Sequence, residues 1–125
     1  MATTRPSTEF GRQGEDLARG FLEALGYAYV ARNWHCRAGE IDLIMRDGDE
    51  IVFVEVKARH GERAGRAEDA VSRGKSRKML AAGEWYIMKH PEYQDLFWRC
   101  DLVAITVSPG RRPDVAHFIN AIVVG

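Results

Sequence analysis

Apolar positions recur along this chain with two periods, and each period marks a kind of element. Leu17, Phe21 and Leu25 return every fourth residue, and Leu22 widens the stripe, which is the spacing of an amphipathic helix. Ser7 or Thr8 can cap that helix and Gly26 can stop it, so the pattern predicts a helix to about Leu25 behind a loose arm at residues 1–7. Glu15 lies at the edge of its apolar arc. Three strand-like runs follow. Residues 27–34 (YAYVARNW) are aromatic and β-branched, 40–46 (EIDLIMR) alternate, and 51–58 (IVFVEVKA) are nearly continuously apolar. DGDE between the last two is a hairpin signal. Residues 59–66 read as a mobile basic loop and about 68–89 as a second helix. Residues 98–107 and 115–124 read as two more strands, joined by the turn PGRRP. The order α-βββ-α-ββ predicts an α/β fold, a mixed sheet flanked by helices, in a single domain over residues 1–125.

The hairpin concentrates the chemistry. Period two puts Glu40, Asp42 and Ile44 on one face of their strand, and Ile51, Phe53, Glu55 and Lys57 on one face of the next. Closing the turn over Gly48-Asp49, or over residues 47–50, gives one register, with Asp42 opposite Glu55 and Glu40 opposite Lys57. Opposed Cβ atoms are about 4.5–5.5 Å apart. Two facing carboxylates destabilise a sheet unless something neutralises them, and Mg²⁺ is typically held by one or two carboxylates with waters and phosphates. The other face carries Ile41, Leu43, Met45, Val52, Val54 and Val56. Both faces are therefore apolar, as in a strand covered on two sides, where charge is costly unless it is paired or metal-bound. The residues alone leave two readings. One is a metal or phosphate site where core gives way to cleft; the other is a satisfied ion-pair cluster.

Composition narrows the classes. The chain has 125 residues, 46% hydrophobic and 29% charged, which suits one folded core rather than disorder. There is no apolar run long enough for a membrane helix, and the start MATTRPSTEF lacks the apolar stretch of a signal peptide. Cys36 and Cys100 stand alone, which fits a reducing cytoplasm, and no C-x-x-C or H-x-x-x-H spacing suggests zinc. Lys+Arg 18 against Asp+Glu 18 gives zero net charge, which by itself argues against a nucleic-acid partner. Its distribution argues the reverse. Residues 40–55 hold Glu40, Asp42, Asp47, Asp49, Glu50 and Glu55 against Arg46, a net of −5. Residues 57–78 hold Lys57, Arg59, Arg63, Arg66, Arg73, Lys75, Arg77 and Lys78 against Glu62, Glu68 and Asp69, a net of +5. An anionic pocket that recruits metal beside a cationic rim that recruits phosphate is what nucleic-acid hydrolysis requires. Lys75 falls on the helix face of Met79, Ala82 and Tyr86, toward the sheet. Arg73 and Arg77 fall on the solvated side. Lys75, Arg59, Arg63, Arg66 and Lys78 are candidates to grip a nucleic-acid backbone; the equal alternative for the arginines is that they only keep their loop soluble. Trp34, Trp85 and Trp98 are scattered and read as core; the sequence leaves the role of Arg99 and Asp101 open, an ion pair being the plainest reading.

Asp42, followed thirteen residues later by Glu55-Val56-Lys57, resembles the D…(D/E)-x-K signature of the PD-(D/E)XK nuclease superfamily. Ile41 stands where the superfamily's name has proline. GRQGEDLA with its helix-borne Glu15 resembles archaeal Holliday-junction resolvases. GRQGEDLA, RNW, GEIDLI, FVEVKAR and RCDLVAI together resemble the bacterial YraN-like family over roughly residues 10–124. The resemblance implies a restriction-endonuclease-like αβββαβ core and a metal-dependent DNA endonuclease, with branched or structured DNA among its candidate substrates. It implies that Asp42, Glu55 and the Val56 carbonyl ligate Mg²⁺ or Mn²⁺, that Lys57 positions the attacking water, and that Glu15 is a third acidic group. The other reading of Glu15 is an acid favoured near a helix N-terminus. Glu40 would support Lys57 from behind, and the resolvase likeness implies a homodimer. The alternative function is a nucleic-acid-binding module of the same fold without turnover.

Overall fold

The computed structural model describes residues 3–4, 9–61 and 73–122. The elements run β1 (Thr3–Thr4), α1 (Glu9–Ala24), β2 (Ala28–Cys36), β3 (Gly39–Asp47), β4 (Glu50–His60), α2 (Arg73–Lys89), a 3₁₀ turn (Pro91–Tyr93), β5 (Phe97–Val107) and β6 (Asp114–Phe118). The strands form one six-stranded sheet in sequence order. Every neighbouring pair is antiparallel except β4 and β5, which run parallel. A parallel pair needs a long crossover, and α2 lies within it.

The helices cover opposite faces. Ile44, Ile51 and Phe53 pack with Met79, Ala82 and Tyr86 of α2. Leu43, Met45, Val52 and Val54 pack with Ala18 and Leu22 of α1. The continuous apolar run of β4 is explained by this double cover. Each fully buried aliphatic side chain contributes about 1.5–3 kcal/mol. Trp34, Trp85 and Trp98 pack against the α2-side core, as expected from their scatter. The result is a mixed α/β architecture consistent with a restriction-endonuclease-like fold. No helix among the described residues is long and apolar enough to cross a membrane.

Several local expectations are corrected. α1 buries Gly14, Glu15, Ala18 and Leu22, whereas Leu17 and Leu25 are 38% and 56% exposed. Gly14 is the reason: a Cβ there would lie 2.8 Å from the Ala58 Cβ, so only glycine lets the helix come this close to β4. Gly26 ends the helix as expected. It takes φ 98° and its N–H donates to the Glu23 carbonyl, while the Tyr27 N–H reaches back to Leu22. The arm is not wholly loose, because Thr3 and Thr4 pair with His35 and Trp34 of β2. β4 continues to His60, so Arg59 is a strand residue rather than part of a loop. The rest of the expected loop, with Arg63 and Arg66, and the expected start of the second helix at 68–72 lie outside the described residues, as do the candidate caps Ser7 and Thr8. β6 is only five residues long. Asn120 turns the chain with φ 54°, and the Ile122 N–H then donates to the Cys100 carbonyl, which seats Ile122 in the α2-side core. Ile41 also packs on the α2 side, not with Leu43 and Met45. β3 has left its ladder with β4 there but stays paired with β2, Trp34 opposite Ile41.

Candidate functional site

The β3–β4 hairpin closes over Gly48-Asp49, with Gly48 at φ 58° and Asp47 paired with Glu50. The ladder keeps the expected register up to Leu43↔Val54 and ends there. The strands part beyond that point. Asp42 is therefore not held in a backbone pair opposite Glu55; instead its Oδ2 accepts the Val56 N–H at 2.9 Å. The side chain replaces the missing carbonyl of the ladder, which fixes the carboxylate at the fork between the strands. Asp42 and Glu55 are 7% and 5% exposed.

Glu55 shares the α2-facing side of β4 with Phe53, and there it meets Lys75. The Lys75 Nζ forms an ion pair with the Glu55 Oε2 and contacts Lys57. The first turns of α2 thus bring a basic residue onto the acidic hairpin, as the helical face of Lys75 predicts. Burial, then the Lys75 ammonium, push Lys57 below the usual lysine range, against the pull of Glu55. Burial alone would lower Lys75 too. Its bond to Glu55 and the charges of Glu55 and Asp42 outweigh that and leave it raised. The four side chains form one compact charge cluster, two acids and two bases.

Beside the cluster opens a cleft of about 570 Å³. Glu40, Glu55, Lys75, Lys78, His35 and Arg37 line it, over Cys36 and Met79. Its wall depends on Gly39, where a Cβ would lie 2.6 Å from the Lys78 carbonyl oxygen. The β2–β3 turn therefore lies directly against α2. That approach brings Arg37 to the cleft, a cation the sequence pattern gave no reason to choose. Only the closure of the turn onto the helix reveals it. Glu40 lines the same cleft from β3, where it pairs with His35, but the β3–β4 ladder does not extend to set it opposite Lys57. Arg59 follows Glu55 and Lys57 at alternate positions on β4, and its charge reaches Lys57.

Glu15 is 5% exposed on α1 and is engaged from β2. Its Oε1 accepts from Arg32 Nη2 at 3.0 Å and from Asn33 Nδ2 at 3.1 Å. Arg32 also binds Asp16 at 2.7 Å. The RNW segment thus ties β2 to the GRQGEDLA helix. Among the described residues no three His, Cys, Asp or Glu side chains gather as a metal-binding group, and the acids at the fork are Asp42 and Glu55. Their donors are hard carboxylate oxygens, which suit Mg²⁺ or Mn²⁺ with water and phosphate completing the shell.

Arg99 and Asp101, whose role the sequence left open, form an ion pair within a larger network. Asp101 is fully buried and takes Arg99 Nε at 3.0 Å, His117 Nε2 at 2.8 Å and the Asn120 N–H at 2.8 Å. Arg99 continues to Glu50 and the Tyr27 hydroxyl, both at 2.7 Å. These partners come from β2, β4, β5 and β6 and their flanks, so the network fastens the sheet rather than serving the cleft.

The family model of "Uncharacterised protein family UPF0102" matches residues 14–105, the span from Gly14 to Ile105 that carries α1 from Gly14 on, the hairpin, α2 and most of β5. The chain belongs to the UPF0102 family. Similar UPF0102 proteins include one from Chloroflexus aurantiacus, 40% identical over 117 residues, which is 94% of this chain and 95% of the relative. One from Roseiflexus castenholzii is 38% identical over 80% of this chain and 81% of its own. One from Pseudomonas aeruginosa is 34% identical over 96% of both. The YraN-like resemblance in the sequence and UPF0102 membership are therefore one finding. The UPF0102 match includes Glu15 and the whole Asp42–Lys57 segment.

Proposed function

We propose that this UPF0102 protein is a metal-dependent phosphodiesterase acting on DNA, with structured or branched DNA as its preferred form. The observation that carries the reading is the fork of β3 and β4: buried Glu55 lines a cleft rimmed by Arg37, Lys75 and Lys78, and buried Asp42, fixed by the Val56 N–H, adds its charge on the same Lys75. Asp42 and Glu55, with the Val56 carbonyl that the superfamily likeness adds, would hold Mg²⁺ or Mn²⁺. When bound, such an ion supplies charge that neutralises the phosphate and acidifies water. Asp42 is kept aimed by the Val56 N–H, so little reorganisation is needed on binding. Lys57 orients the attacking water and holds or passes its proton at Nζ. Lys75, Lys78, Arg37 and Arg59 seat the backbone phosphates. Glu15 anchors α1 to β2, the strand beside the hairpin that carries the site.

The ion pair between Glu55 and Lys75 favours a second reading, a nucleic-acid-binding module without turnover, because it neutralises Glu55 with no metal. One experiment separates the two. The protein is incubated with duplex, single-stranded, flap and four-way-junction DNA in Mg²⁺ or Mn²⁺, beside Asp42→Asn and Lys57→Ala. Metal-dependent cleavage lost in both variants supports the nuclease. Binding of DNA without cleavage supports the silent module. Neither binding nor cleavage refutes both.

A further inference from the structure

Lys75 is the residue whose place that function does not yet explain. It sits on the Glu55 oxygen rather than on the cleft rim alone, and it also touches Lys57. Its side chain is 41% exposed whereas that of Glu55 is 7% exposed. The acid is thus fixed in the wall while the base reaches it from an open helix turn and can leave. Lys75 also lines the cleft beside Lys78 and Arg37, so a phosphate entering the cleft gives its ammonium a second partner.

We propose that Lys75 is an internal cation that covers Glu55 in the nucleic-acid-free protein and moves to a phosphate when nucleic acid enters, so that metal loading is coupled to substrate. This rests on the proposed metal site and names how that site is regulated. The physical reason is competition. An ammonium and a divalent ion cannot share one carboxylate oxygen, and a cation about 4 Å away also repels the ion. Removing the lysine therefore frees the oxygen and lifts the repulsion. The same removal deprives an incoming phosphate of a cationic partner, so nucleic-acid binding weakens as metal binding tightens. The covered state guards against idle metal binding, and the phosphate supplies the differential interaction that any such shift needs.

The opposite signs make the test. Mn²⁺ binding to the intact chain is measured by calorimetry without DNA, and binding of a labelled duplex is measured in Ca²⁺, for the native protein, Lys75→Met, Arg77→Met and Asp42→Asn/Lys75→Met. Arg77 is an exposed residue of the same helix and controls for loss of one charge. The expected result is Mn²⁺ bound about tenfold more tightly by Lys75→Met than by the native protein and Arg77→Met, with duplex bound several-fold more weakly. Asp42→Asn/Lys75→Met should lose the Mn²⁺ gain. Mn²⁺ affinity unchanged or lower in Lys75→Met, or duplex affinity unchanged or higher, overturns the role of Lys75. In that case Mn²⁺ binding that Asp42→Asn/Lys75→Met loses leaves the metal site standing. If no form binds Mn²⁺, the metal site and the Lys75 role fall together.

Discussion

Asp101→Asn tests how much of the fold rests on one buried charge. The substitution keeps shape and removes the negative charge beside Arg99, whose side chain is 9% exposed. Asp101 Oδ1 takes both Arg99 Nε and the Asn120 N–H, and Oδ2 takes His117. An asparagine retains one acceptor oxygen and turns the other position into a donor. Hydrogen bonds to a charged group contribute about 1.5–3 kcal/mol each, so weakening two and losing one is a large effect. Complete orphaning of a buried charge costs about 3–5 kcal/mol. Arg99 is not orphaned, since Glu50 and the Tyr27 hydroxyl remain at 2.7 Å. The expected loss is therefore about 2–3 kcal/mol, between a single hydrogen bond and an unpaired ion. At this chain length that lowers the melting temperature by about 8–12 °C. Urea unfolding at pH 7 checks it, with the midpoint falling and the slope unchanged. The double variant with Arg99→Met should be less destabilised than the sum of the two singles by at least about 1 kcal/mol. A loss below about 0.5 kcal/mol for Asp101→Asn, or strict additivity with Arg99→Met, would refute the claim that this network fastens the sheet.

Other expectations follow from single interactions. Gly83→Ala places a Cβ 2.9 Å from the Trp98 ring and 3.0 Å from the Phe53 ring. Although alanine favours a helix by about 1 kcal/mol, overpacking should cost about 1–3 kcal/mol in urea unfolding, and a more stable variant would contradict the packing. Glu15→Gln keeps an acceptor for Asn33 but weakens the bond to Arg32, so stability should fall by about 1 kcal/mol. Mn²⁺ affinity should stay within about threefold, and a tenfold loss would instead put Glu15 at the metal. Cys100 is buried, and burial, with the nearby Asp101 charge, pushes its thiol up to about 12. An unfolded cysteine ionises near 8.5, so the stability this group contributes is present below that pH and declines as pH rises toward 12. Iodoacetamide at pH 8.5 should label Cys100 only upon unfolding; labelling at the rate of a small thiol would show that the site is open.

The sequence by itself determined the local terms. Its periods set the element order, DGDE closed the hairpin, and Gly26 ended the first helix, because each depends on residues close in the chain. The hairpin register as far as Leu43↔Val54 followed from the same short-range rules, and the helix face shared with Met79 and Ala82 turned Lys75 toward the sheet, but its pairing with Glu55 came only with the packing of α2 on β4. Motif spacing carried the family. The tertiary structure decided whatever depended on approach between distant segments. Gly14 and Gly39 act through neighbours 44 and 39 residues away, Ala58 and Lys78, so α1 rolls off its apolar stripe and Arg37 arrives at the cleft. The ladder ends at Leu43↔Val54, and only that fork lets Asp42 bond the Val56 N–H. Glu15 and Asp101 are buried because Arg32, Asn33, Arg99 and His117 converge on them. A side chain's polarity is written in the sequence, but the partners that make its burial affordable are brought together only by the folded sheet.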